Sequence, residues 1–264
     1  MKRYAQFEKM NRELWKNRTF TNENPINYPC PKCSVGFLTP KKPIVTEITP
    51  SGTEMEYFGY PNGIEHIFSG TLICKNKDCK ELVSISGQCL RDIQSGKELP
   101  SGEMVEHRFS TYYPKFFFPN LKIIALPKEV SENVAEQINL SFSHYYNDLS
   151  SCANRIRNGI ELILDDLNAP KWRKTNAGNK QVFKILHNRI EHYGKRNKNM
   201  ADHLLALKII GNEGSHIGLV KSDDILDAYE ILEQLIEFTY IKKKERITEL
   251  VKEILSRKKP RSKE

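Results

Sequence analysis

The spacing of apolar positions changes character along the chain. Phe7, Met10, Leu14 and Trp15 recur at helical intervals, predicting a short basic amphipathic helix within residues 1–24. Asn22 to Pro29 is polar and reads as a linker. From 30 to 125 the helical period is lost, and proline, glycine and serine punctuate short β-prone runs. Strands are expected at Ile44–Ile48, Ile67–Cys74, Leu82–Ile85 and Met104–Tyr112. The aromatic, proline-bounded stretch from Tyr112 to Pro119 is expected to mark a join between domains.

Helical spacing returns over 128–258. Asn154 to Leu167 places Ile156, Ile160, Ile163, Leu164 and Leu167 on one face. Ser222 reads as an N-cap, with Asp223 and Asp224 favouring the positive start of a helix. That helix is expected to bury Ile225, Leu226, Tyr229, Leu232, Leu235 and Ile236. Val182 to Tyr193 and Met200 to Ile210 supply two more helices, with a loop from Asn168 to Lys180. The expected divisions are 1–24 (basic helix), 25–125 (β domain), 126–241 (helical bundle) and 242–264 (basic helical tail).

Two cysteine pairs give the β region its chemistry. Cys30-Pro31-Lys32-Cys33 is a Cys-x-x-Cys pair, and Cys74 and Cys79 enclose four residues. Two such turns can bring four thiolates into a tetrahedron, which suits zinc. The expectation is a zinc ribbon whose metal is structural, because four thiolates leave no open position for substrate. The second spacing is the less specific, so His66 or Cys89 stands as an alternative ligand. Cys152 falls on a helix and reads as a core residue. A redox role finds no thioredoxin-like βαβ pattern around the first pair.

Length and composition limit the classes. With 264 residues, 39% apolar and 28% charged, the chain is neither collagen-like nor wholly disordered. It can form a core without needing a metal or disulfides merely to fold. The start lacks a signal-peptide apolar run, and no segment approaches the roughly 20 apolar residues of a spanning helix. A cytoplasmic protein with reduced cysteines and no membrane partner is expected.

The net charge of +8 is concentrated. Residues 1–24 hold six basic and three acidic side chains, and 242–264 hold ten and four. Between them lies one basic outlier, 171–198, where nine cations face only Glu191. These are Lys171, Arg173, Lys174, Lys180, Lys184, Arg189, Lys195, Arg196 and Lys198, interleaved with Trp172, His187, His192 and Tyr193. Such a segment is either a solvated face or a phosphate-contact surface. Aromatic rings beside Lys and Arg suit single strands, whose bases can stack.

The helical half also resembles a known family. Ala125-Leu126-Pro127-Lys128-Glu129-Val130 leads into a helix, followed by Arg157-Asn158-Gly159-Ile160-Glu161. Then come His203-Leu204-Leu205 and Ile210-Gly211-Asn212-Glu213-Gly214-Ser215-His216. In this order, over about residues 120–240, they resemble the family called domain of unknown function 4145. The cysteine-bearing N-terminal ribbon also looks like members of that family. The resemblance implies a place in the HEPN superfamily (higher eukaryotes and prokaryotes nucleotide-binding). The fold class expected is therefore α+β, an N-terminal β-rich zinc ribbon followed by an all-helical HEPN-like bundle. HEPN bundles are often dimeric, and many are metal-independent ribonucleases of prokaryotic immunity.

The resemblance implies His216 as general base or acid and Asn212 as a phosphate-orienting group. Gly211 stands where the HEPN pattern has arginine, and Lys208, Arg155 or Arg157 is the candidate substitute cation. Arg157 and Glu161, at i and i+4, read as a helix salt bridge. The expected function is RNA or DNA binding in anti-phage or restriction-associated defence, with RNA cleavage as the associated activity. The alternative is a non-catalytic adaptor that dimerises and docks a nuclease or sensor.

Overall fold

The computed structural model describes residues 9–98, 104–214, 220–241 and 243–257. A short helix, α1 (Arg12–Lys16), opens the described chain. It is followed by β1 (Leu38–Pro40), β2 (Val45–Ile48), α2 (Pro50–Tyr57), β3 (Ile64–Cys74), β4 (Leu82–Glu98) and β5 (Met104–Phe118). Strands β1, β3, β4 and β5 lie in that order in one antiparallel sheet, with β2 also paired to β3. The C-terminal half contains α3 (Glu132–His144), α4 (Leu149–Asp166), β6 (Trp172–Lys174), β7 (Lys180–Val182), α5 (Leu186–Gly194), α6 (Lys198–Glu213), α7 (Ser222–Tyr240) and α8 (Lys243–Arg257).

The architecture is α+β in broad outline, but the expected zinc ribbon followed by an all-helical bundle is overturned. The helical half contains the β6–β7 hairpin, where Trp172 pairs with Val182 and Lys174 with Lys180. This pairing uses residues expected to form the Asn168–Lys180 loop and the start of the Val182–Tyr193 helix. Helix α5 consequently begins at Leu186, after Ile185. The N-terminal sheet is also larger than a ribbon of short strands, with β3, β4 and β5 running 11, 17 and 15 residues.

The outer face explains the underestimated strand lengths. Ser84, Ser86 and Gln88 resemble breakers, yet they alternate with buried Val83, Ile85 and Cys89. That is period-two patterning with a polar outer face. Most of the Tyr112–Pro119 stretch forms the end of β5. Pro114 is accommodated where the ladder shifts register between Ser86 and Gly87, leaving Lys115 as the extra residue. Helix α7 starts one position earlier than predicted, at Ser222: Lys221 is the cap, and its N–H donates to Asp224 Oδ2 at 2.8 Å.

The inner sheet face and the helices share one continuous apolar core. Along α4, Ile156, Ile160, Ile163 and Leu164 are buried. Along α7, all six predicted apolar positions are buried. The N-terminal segment links the two halves. The Trp15 ring stacks on Tyr28 at 5.7 Å, and its carbonyl accepts from the Tyr145 hydroxyl at 2.8 Å. Arg12 reaches Asp227 at 2.6 Å, and the Met10 N–H donates to Glu233 at 3.0 Å, both on α7.

Trp15 is 2% exposed, so truncation leaves a cavity that the rigid sheet and helices cannot close. Trp15→Ala is expected to lower unfolding stability by about 3–5 kcal/mol. Trp15→Phe, which retains an aromatic stack, is expected to lose less. Urea denaturation followed by circular dichroism measures both.

Candidate functional site

The backbone assembles two cysteine turns at one end of the sheet. In the first, Cys30 N–H donates to Gly36 O at 2.7 Å and Ser34 N–H to Cys30 O at 3.0 Å. Gly36 N–H points at Cys33 Sγ, 3.4 Å away. The second turn leaves β3 at Cys74, whose N–H donates to Glu81 O at 2.9 Å. It closes with Cys79 N–H to Asn76 O at 3.1 Å. Ser34 and Lys80, each directly after a cysteine, have positive φ of 56° and 52°. Pairing of Leu38 with Cys74 brings the turns together.

The four sulfurs of Cys30, Cys33, Cys74 and Cys79 all lie within 4.8 Å of one another. The Cys30–Cys79 and Cys33–Cys74 separations are both 3.7 Å. A disulfide requires about 2.05 Å. A tetrahedron with metal–sulfur bonds of about 2.3 Å has edges of about 3.8 Å. The arrangement therefore fits a metal ion and not a pair of disulfides. Backbone N–H groups of Gly36 and Val35 lower the Cys33 thiol to about 6, so this ligand is readily ionised. Desolvation pushes Cys74 up to about 12, so a cation is needed for it to ionise beside three other sulfurs.

The alternative ligands are elsewhere. His66 pairs with Cys89 across β3 and β4, and its Nδ1 lies 3.1 Å from Ile64 O. Eight residues of strand, roughly 27 Å, separate His66 from Cys74. Cys152 is buried 3.2 Å from the Tyr229 hydroxyl, as a core cysteine should be.

The basic segment divides into anchors and exposed cations. Asp165 receives Lys171 at 2.9 Å and Arg189 at 2.6 Å, and Arg189 also donates to Ala169 O. These two cations staple the hairpin base to α4. Arg173, Lys174, Lys180, Lys184, Lys195, Arg196 and Lys198 remain exposed. Lys180 Nζ sits 4.6 Å from the Trp172 ring centre, a cation–π contact on a ring that is 39% exposed. Missed in the sequence was the hairpin that gathers these groups. Its signal was the polar Thr175–Asn179 turn between two short alternating runs.

Of the residues implied by the HEPN resemblance, Gly211 lies at the α4–α6 contact. Gly211 and Asn212 lie in the last turn of α6, and His216 lies outside the described residues. A Cβ on Gly211 would stand 2.7 Å from the Arg157 Cβ, so glycine is required for the helices to approach this closely. Arg157 pairs with Glu161 at 3.4 Å. Arg155 instead donates to Gln137 at 3.2 Å. Asn154 reaches the Gly214 carbonyl at 3.3 Å. Of the three candidate cations, Arg157 is thus the one whose stem packs on Gly211.

Residues 18–117 match the family described as Domain of unknown function (DUF8608). Residues 141–261 match Domain of unknown function (DUF4145), in agreement with the resemblance of the helical half. No curated protein and no solved structure matches the chain. Among the described residues, no helix is long and apolar enough to cross a membrane.

Elemental analysis of the purified protein is expected to give one metal ion per chain. Cys74→Ser is expected to release it and unfold the sheet, because the binding energy of a structural site is folding energy. Gly36→Ala places a Cβ 2.5 Å from Cys74 Sγ and is expected to lower metal retention without removing a ligand. Chelator competition measures that loss.

Proposed function

We propose that the chain is a zinc-stabilised protein that binds RNA or DNA and serves prokaryotic genome defence. The observation that carries the binding reading is the β6–β7 hairpin with the following segment. Along 172–198 it displays seven exposed cations, and Lys180 lies over an accessible tryptophan. Cations neutralise phosphates and release counterions, while the Trp172 ring offers a stacking surface. Zinc is the metal that best suits four thiolates in a closed tetrahedral site, and its role is structural. The defence assignment rests on the DUF4145 match and the superfamily that the resemblance implies. A homodimer is the expected assembly, and a defence nuclease or sensor is the expected protein partner.

Lys174→Gln, Lys180→Gln and Lys184→Gln together are expected to weaken binding of a single-stranded oligonucleotide. Each lost phosphate contact lowers the log–log salt slope by about 0.7. Lys171→Gln, which removes an Asp165 partner, is expected to leave that slope unchanged. An unchanged slope in the triple variant overturns the hairpin as the contact surface.

A second reading is metal-independent RNA cleavage, for which Arg157, packed on Gly211, is the cation nearest the position where the HEPN pattern has arginine. Arg157 would hold the scissile phosphate in place of the absent arginine. Asn212 would orient that phosphate, and His216 would move the proton of the ribose 2′-hydroxyl, the general acid–base role that histidine commonly fills. Cleavage of single-stranded RNA in excess EDTA, abolished by His216→Ala and by Arg157→Ala with the dimer intact, would establish it. Binding without cleavage favours the adaptor.

A further inference from the structure

The outer face of the N-terminal sheet is a second chemically distinct surface. On β5, Phe116 is 59% exposed and Phe118 78%. Register places them opposite Ser86 and Ser84 on β4, which pair in turn with Ser69 and Thr71 on β3. Val45, Ser69, Ser86 and Phe116 line both of two adjoining depressions, which form one trough across the strands. Its floor is hydroxyl-rich and its walls are aromatic and aliphatic. Among the charged residues that line it, Lys41, Lys42 and Lys115 outnumber Glu47. Glu65, on the same face, is engaged by Ser51 at 2.8 Å.

We infer that this trough is a binding site for single-stranded nucleic acid. Exposed rings separated by one residue on a strand provide successive stacking platforms for unpaired bases. The serine and threonine hydroxyls and the Gln88 amide can donate to or accept from base edges. The three lysines complement the phosphates that must run along the rim. A protein partner fits less well, because interface centres are depleted in lysine and serine, the residues this trough supplies. The inference rests on the nucleic-acid reading and adds to the hairpin a surface that selects single strands over duplex.

The test uses the full chain and a single-stranded oligothymidine bearing 5-bromouracil, cross-linked by ultraviolet light and mapped by mass spectrometry. Cross-links are expected on the tryptic peptide from Phe116 to Lys122. Phe116→Ala with Phe118→Ala is expected to weaken binding about ten- to hundredfold with the salt slope unchanged. Phe116→Tyr with Phe118→Tyr keeps the rings and is expected to retain affinity. Cross-links confined to 171–198, with the alanine variant unaffected, overturn the trough and leave the hairpin reading standing. Absence of both cross-links and binding overturns the two together. A change in oligomeric state in the alanine variant, with nucleic-acid affinity intact, assigns the face to a second copy and overturns the inference.

Discussion

Tyr28 is the residue on which the three parts of the structure converge. Its ring stacks on Trp15 and meets Phe117 of the sheet at 5.7 Å and Tyr146 of the helical half at 5.9 Å. Phe117 and Tyr146 themselves approach to 4.8 Å. Its carbonyl, two residues before Cys30, accepts at 2.8 Å from the N–H of Leu38, the first residue of β1. One buried aromatic seam therefore sets the position of the first cysteine turn and of α3 relative to the sheet. Edge-to-face and stacked contacts of this kind are directional and add about 0.5–1.5 kcal/mol per pair to simple burial. The aromatic seam and the Leu38 hydrogen bond thus hold the chain on the approach to the first of the four clustered cysteines.

Part of this was legible in the sequence, and part was not. The apolar stripes of α4 and α7 follow a 3.6-residue period, so their buried positions could be read directly. The cysteine pairs were legible because thiolate chemistry constrains spacing independently of fold. The long strands were obscured because one face is hydroxyl-rich, so a period-two signal resembled a series of turns. The β6–β7 hairpin was hidden for another reason. Its six strand residues are all exposed, so burial imposed no pattern on them. Helix α2 escaped notice because within it only Gly52 is buried, against the Glu65 carbonyl.

Charge counting alone does not distinguish the cations of the basic segment from one another. Nine cations in 28 residues look equivalent along the sequence, yet Asp165 separates them into two kinds. Its carboxylate is held below the usual range by Lys171 and Arg189 against the opposing effect of burial. Those two cations fix where the hairpin leaves α4, while the remaining seven face solvent. The acidic residue that pairs with two of the cations thus lies outside the basic run, at the end of the preceding helix.

Gly211 illustrates the limit of reading a site by motif position. A motif places a cation at a fixed offset along one helix, but the phosphate it would hold responds only to position in space. Where α4 and α6 cross, one Cβ position must be vacant, because a second carbon would stand 2.7 Å from Arg157 Cβ. The arginine stem and the glycine are therefore a steric pair: either helix can carry the large residue, and the other must yield. An arginine donated from α4 arrives from a different direction and is already held by Glu161 at 3.4 Å. Releasing that contact sets a cost on any role with phosphate, since a displacement of about 1 Å in a positioned group can reduce rate about a hundredfold. Binding tolerates such a displacement far better than catalysis, because a cation's attraction to phosphate falls gradually with distance. The exchange of residues across the helix crossing thus demands more of Arg157 for the proposed cleavage than for the proposed binding.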